Sequence, residues 1–279
     1  MKEEIVDVHN LSIAYKAWGN PNNTPIIALH GWLDNANSFD LIAPALSNDY
    51  FFVAIDLPGH GYSSHLPAGC NYHFIDGIYH IINIVEALGI DEFILLGHSM
   101  GACLASLIAS IIPEKMIKLV LLEGLGPLSH EATTCHKQLK NYLHYQHILA
   151  NKPNRPYPSF SKAVKARAKN GYLPIELAEI IVNRAIEEVK GQFFWRHDKR
   201  LLTPSPLRLC EEQVNNCLAE ISSPSLLIEG TTGFEYDKHK MIERKKRVND
   251  LKIETLVGGH HIHLEQPEKT NELILDFLN

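Results

Sequence analysis

The chain of 279 residues lacks any apolar run near the roughly 20 residues that a membrane-spanning helix needs, so no membrane span is expected. It has no excess of positive charge: the net charge of −6 gives no basis for binding nucleic acid. Its five cysteines (Cys70, Cys103, Cys135, Cys210, Cys217) are odd in number, scattered and without a Cys-x-x-Cys pair. They read as reduced thiols, which excludes a disulfide framework or a cysteine zinc site. The opening residues Met1-Lys2-Glu3-Glu4 are charged and carry no apolar signal-peptide core, so a cytoplasmic protein is expected. Internal repeats and low-complexity tracts are absent too. What remains is an ordinary globular composition, 45% hydrophobic, with ample material for one large core.

The apolar runs that are present alternate in type. Ile5–Val8 and Leu11–Ala17 read as an antiparallel opening hairpin, and Pro25–His30 and Phe51–Ile55 as strands buried on both faces. A short helix is expected over Ser38–Leu46, and helical spacing runs from Phe74 to Leu88. Phe93–Leu96 is another buried strand, followed by a helix to Ile112 and a strand over Ile117–Leu122. This order predicts an α/β fold: a mostly parallel sheet with helices on both faces. From Pro127 to about Cys217 the sequence shows helical segments and Pro-rich joints with no convincing buried strand. The alternation resumes with Ser225–Ile228, a basic helix near Lys238–Val248, a strand over Lys252–Val257 and a helix over Glu268–Leu278. The expected division is a core of residues 1–127 and 218–279 with a helical cap of residues 128–217 inserted into it. Residues 128–217 hold 14 Lys/Arg against 8 Asp/Glu, and the rest 12 against 24. A positive cap over an acidic core would draw anionic acyl substrates, unless its cations simply coat solvated helices.

In such a sheet, ligands gather beyond the carboxyl ends of the strands. Phe93–Leu96 runs into Gly97-His98-Ser99-Met100-Gly101, a Gly-x-Ser-x-Gly turn between strand and helix. Ser99 at so sharp a turn stands clear of the sheet beside a helix N-terminus, which makes it the candidate nucleophile. The candidate base is His260, after the last strand in Gly258-Gly259-His260-His261-Ile262-His263. The three clustered histidines lack His-Glu-x-x-His spacing and an acidic cluster, so no metal is assigned to them, and no cofactor is expected. His263 is expected to be structural at a helix start, and His261 to line the pocket or the surface. The oxyanion donors would be the amides of Trp32, after Gly31, and Met100. His30 and His60 are expected to shape loops.

The acid is open at this stage. The loop after Ile228 offers Thr232-Gly233 where a carboxylate is commonly found; Asp237 comes late, and Glu235 is a further option. Glu123, ending the strand after the nucleophile helix, is preferred on position, with Asp237 as the alternative. Arg196 and Asp198 are candidates for a cap-holding pair.

Taken together, Leu29–Asp40, Gly59–His65, the Ser99 turn, Leu121–Pro127 and the Gly-His-x-x-His-x-Glu-x-Pro ending resemble the α/β-hydrolases, and most closely the serine hydrolase-like group. The resemblance covers about residues 5–127 and 220–279, and the cap only loosely, through Trp195–Leu201. It implies a serine hydrolase but supplies no substrate; Ser99, His260 and the oxyanion donors themselves point to a small-molecule acyl substrate, such as an ester or thioester, cleaved through an acyl-serine. It also implies that the acid can follow the strand holding Glu123, as in certain haloalkane dehalogenases. Acyl transfer, carbon–carbon hydrolysis, lyase chemistry on the same site, or a receptor with little turnover are the alternatives. Neither acyl length nor oligomeric state follows from these residues.

Overall fold

Strand sequences that are apolar at every position, such as Pro25–Leu29 and Phe51–Ile55, can be satisfied only between two apolar layers. The computed structural model, which describes every residue except Asn154 and Tyr172, builds those layers. Its main sheet contains β1 (Lys2–Val8), β2 (Leu11–Trp18), β3 (Pro25–Leu29), β4 (Phe51–Ile55), β5 (Phe93–His98), β6 (Met116–Leu122), β9 (Ser225–Gly230) and β10 (Leu251–Leu256). The spatial order is β1-β2-β4-β3-β5-β6-β9-β10. The β1–β2 and β2–β4 pairings are antiparallel, and every other pairing is parallel. Successive strand residues feed opposite layers. Ile27, Leu29, Val53, Leu95 and Leu121 join a core roofed by α2 (Asp76–Ala87), α3 (Met100–Ile111), α7 (Glu211–Ala219) and α8 (Lys238–Lys245). Ile26, Ala28, Phe52, Leu96 and Val120 join the other, under α1 (Ala43–Leu46) and α10 (Pro267–Leu278). The expected α/β architecture is therefore present, with helices on both faces. The helix anticipated over Ser38–Leu46 is two short pieces, a 3-10 turn at Ala36–Phe39 and α1, because Pro44 fits only a first helical turn.

Between β6 and β9 the chain forms α4 (Cys135–Asn151), α5 (Phe160–Gly171) and α6 (Ile175–Ala185). A hairpin of β7 (Ile186–Val189) and β8 (Gln192–Trp195) follows. The hairpin corrects the all-helical expectation for this segment; it pairs only with itself, apart from a bridge to Tyr157, and so carries no fully apolar strand. Ala163, Val164, Ile181 and Val182 pack a separate small core, which Leu264 of α9 (Ile262–Glu265) joins from below. Two arginines tie this segment to the sheet. Arg184 on α6 is buried and donates to the fully buried Asp56 at 2.8 Å, and Arg167 on α5 pairs with buried Asp34. Asp56 in turn accepts the amides of Ala36 and Tyr62 at 2.8 Å each. A carboxylate so enclosed persists only because its oxygens are paired. The anticipated Arg196–Asp198 pair is not formed: Asp198 holds Arg200 and the Tyr72 hydroxyl, and Arg196 reaches Glu187. No helix among the described residues is long and apolar enough to cross a membrane.

Candidate active site

The turn after β5 places Ser99 at φ 52° and ψ −113°, a backbone conformation that a residue with a side chain rarely adopts. Its neighbours make the turn possible. A Cβ on Gly97 would meet the Ala102 amide nitrogen at 2.5 Å, and one on Gly101 would overlap the Leu29 carbonyl oxygen. α3 thus starts hard against the end of β3, which brings the Gly31-Trp32 loop beside Met100, the first residue of the helix. The first amides of a helix have no partner within it and favour negative charge. The Trp32 indole is half exposed and donates to the Leu201 carbonyl at 3.1 Å, so the ring lies between the sheet and the inserted segment.

Three sequence-distant side chains meet here. The Ser99 hydroxyl lies 2.8 Å from His260 Nε2, and His260 Nδ1 lies 3.0 Å from Glu123 Oε2. A carboxylate only accepts, so Nδ1 carries the proton and Nε2 presents its lone pair to the serine. Glu123 follows β6 with φ 58°, again a left-handed backbone, which turns its side chain across to the last loop. The carboxylate also accepts the Gly230 amide and, at 3.0 Å, the Phe234 amide. Burial alone would raise its pKa; the bonds from His260, Gly230 and Phe234 outweigh that and hold it below the usual value. Asp237 is engaged elsewhere: it caps α8, accepting the amides of His239 and Lys240 at 3.0 and 3.1 Å.

Gly233 is a participant that the sequence did not flag. A Cβ there would overlap both carboxylate oxygens of Glu123, so glycine in this loop is what lets a carboxylate arrive from the neighbouring strand. Tyr236 secures the same corner by donating to the Glu123 carbonyl at 3.0 Å. Gly233→Ala is expected to displace the Glu123 carboxylate and lower kcat by about 100-fold, the scale of a 1 Å misplacement. Steady-state kinetics together with a far-ultraviolet spectrum would separate this from misfolding.

The other histidines divide. His30 donates to the Gly31 carbonyl at 2.7 Å and accepts the Leu57 amide at 3.1 Å, shaping both loops as expected, and His60 bonds the Pro58 carbonyl. His263 meets Ser38 at 2.9 Å in the first turn of α9. His261 is neither on the surface nor lining an open pocket: it is buried, 3.1 Å from Asp34. His98 donates from Nε2 to the His260 carbonyl at 2.8 Å, and its Nδ1 stands 3.6 Å from Asp34. Burial pushes the His98 imidazole down to about 4. For Asp34, burial acts upward, but Arg167 and His261 hold it well below the usual carboxylate range.

Burial also lowers His30, His60 and His197, the last to about 4. Their folded pKa values lie below the unfolded value near 6.5, so the unfolded chain gains protons that the folded chain refuses. The stability they supply is complete above pH ~6.5 and is lost as pH falls through each folded value, for His197 at about 4. Urea midpoints measured between pH 7.5 and 4.5 should fall accordingly.

Comparison with known proteins shows the family. Residues 24–156 match the alpha/beta hydrolase fold family model. The chain belongs to the α/β-hydrolase family, in its serine hydrolase-like group, and its class is hydrolase. It is 35% identical to a serine hydrolase-like protein of Dictyostelium discoideum, over 99% of this chain and 81% of that protein. A hypothetical protein of Pseudomonas aeruginosa has a similar crystal structure, with TM-score 0.94 and 34% identity over 100% of this chain and 99% of that one. A thioesterase domain from the curacin biosynthetic pathway superposes with TM-score 0.85 at 27% identity, covering 99% of each chain.

Proposed function

We propose that this hydrolase cleaves a carboxylic ester or thioester through an acyl-Ser99 intermediate. The observation that carries the reading is the unbroken chain Ser99 Oγ–His260–Glu123, with contacts of 2.8 and 3.0 Å. In this mechanism His260 takes the serine proton as Oγ attacks the carbonyl carbon. The tetrahedral oxyanion is held by the amides of Met100 and Trp32. His260 then returns the proton to the departing alkoxide or thiolate, and water repeats the sequence to release the acid. Glu123, ionised and fixed by two amides, orients the imidazole and balances its positive charge. Residues 128–217 act as a cap over a core of residues 1–127 and 218–279, and their separate apolar cluster supports that division. Similarity to a thioesterase domain supports including thioesters among the substrates. The five free thiols fit a cytoplasmic location.

The test is a fluorophosphonate probe followed by peptide mapping, alongside turnover of p-nitrophenyl butyrate. Rapid labelling confined to Ser99 and loss of turnover in step with it are expected. Slow or absent labelling would point to a receptor, and ester products formed with added alcohols would point to acyl transfer.

A further inference from the structure

Behind the proposed triad lies a second cluster that the mechanism does not use. Asp34, His98 and His261 are all buried and offer three donor atoms within 4.8 Å of one another. The electrostatics of this arrangement are incomplete. Among the described residues the hydrogen-bond partner of His98 Nε2 is the His260 carbonyl, 2.8 Å away, so Nε2 must carry the proton. His98 Nδ1 then presents a lone pair, and it has no hydrogen-bond partner although it is buried. Asp34 Oδ2, which is electron-rich as well, stands 3.6 Å from it. A lone pair aimed at a carboxylate oxygen calls for a cation between them.

We propose that Asp34 Oδ2, His98 Nδ1 and His261 Nε2 form a binding site for a divalent transition-metal ion such as Zn2+, whose occupation inhibits the enzyme. Two imidazole nitrogens and one carboxylate oxygen suit Zn2+, Ni2+ or Cu2+ better than Mg2+ or Ca2+. With bonds of about 2.0–2.1 Å, donors around a tetrahedral ion stand about 3.4 Å apart. The separations of 3.1 and 3.6 Å from Asp34 Oδ2 to His261 and His98 bracket that spacing. His98 already has the outer bond of a metal-ligating histidine, its other N–H donating to a backbone carbonyl. His261 becomes a ligand by moving its proton from Nε2 to Nδ1, which is buried and unpartnered, with no net change of charge. Asp34 keeps Oδ1 for Arg167.

Arg167 is the resident cation and therefore the competitor: its Nη2 also comes within 3.5 Å of His261 Nε2. Inhibition follows from position and rests on the acyl-serine reading. His261 adjoins His260, His98 holds the His260 carbonyl and adjoins Ser99, and Asp34 lies in the loop that carries the Trp32 amide. Drawing the three donors together shifts all of these.

The experiment uses the EDTA-treated full chain, titrated with Co2+ and followed by its visible d–d absorption, then competed with Zn2+. A single site of highest affinity is expected in the wild type. Asp34→Asn and His261→Gln should weaken it by about 100-fold or more, the upper end of what even outer-shell changes do to metal affinity. Arg167→Gln should tighten it by about 10-fold or more, a gain that misfolding cannot imitate. No site in the wild type, wild-type affinity in both ligand variants, or unchanged or weaker binding in Arg167→Gln overturns the proposal. Binding that leaves p-nitrophenyl butyrate turnover unchanged overturns the inhibitory part. Absence of fluorophosphonate labelling at Ser99 counts against the acyl-serine reading alone, because the Co2+ spectrum does not depend on catalysis.

Discussion

Ser99→Ala should lower kcat on p-nitrophenyl butyrate by about 10⁶, the scale on which removal of a serine nucleophile acts elsewhere. KM should change little, because the acyl pocket and the two oxyanion amides remain. The residual rate, about 10³–10⁴ above water, would come from those amides and from substrate binding. The size of the loss depends on the geometry of the turn. At φ 52° the Ser99 backbone is held in a strained region, and the closeness of Gly97 and Gly101 to α3 and β3 keeps it there. Alanine keeps that backbone and removes only the oxygen. The variant should therefore unfold at an unchanged temperature while losing activity and fluorophosphonate labelling together. Retention of full turnover would remove Ser99 from the chemistry.

Glu123→Gln should lower kcat by about 10⁴. An amide can present its NH₂ to His260 Nδ1, which would favour the tautomer with the proton on Nε2, where it blocks acceptance from Ser99. That NH₂ would also face the Phe234 amide, donor against donor, and leave Gly230 a weaker acceptor than the carboxylate oxygen it now bonds. Asp237→Asn is the control: asparagine caps a helix about as well as aspartate, so kcat and stability should both stay near wild type. A reversed pattern, with Asp237→Asn crippled and Glu123→Gln intact, would return the acid to the loop after β9. Because hydrogen bonds hold the folded pKa of Glu123 below its ordinary value, activity should persist to acid pH as far as this carboxylate is concerned.

The fold was legible where burial on both faces forces a strand run to be apolar, as in Pro25–Leu29, Phe51–Ile55 and Phe93–Leu96. The hairpin of β7 and β8 was not, because Glu187, Glu188 and Gln192 leave it half-exposed and without the alternation of a packed strand. Ser99 and His260 could be named from motif and chain order. Glu123 could be named only from its place at a strand end, and the structure puts it within hydrogen-bond reach of His260. The reason Thr232-Gly233 stands where a carboxylate was sought emerges only in three dimensions, since the space vacated at Gly233 is filled from a strand more than a hundred residues earlier. Asp34, His98 and Arg167 gave no signal either. Their meaning lies in one another, and periodicity and local spacing do not record contacts over such separations.

The paired arginines of α5 and α6 also bear on how a molecule reaches Ser99. Swinging the whole region 128–217 away would strip Arg167 from Asp34 and Arg184 from Asp56, and breaking each enclosed pair costs about 3–5 kcal/mol. The Trp32 indole, by contrast, rests on the Leu201 carbonyl through one hydrogen bond and half its surface faces water, so parting sheet and inserted segment at that point breaks no enclosed ion pair.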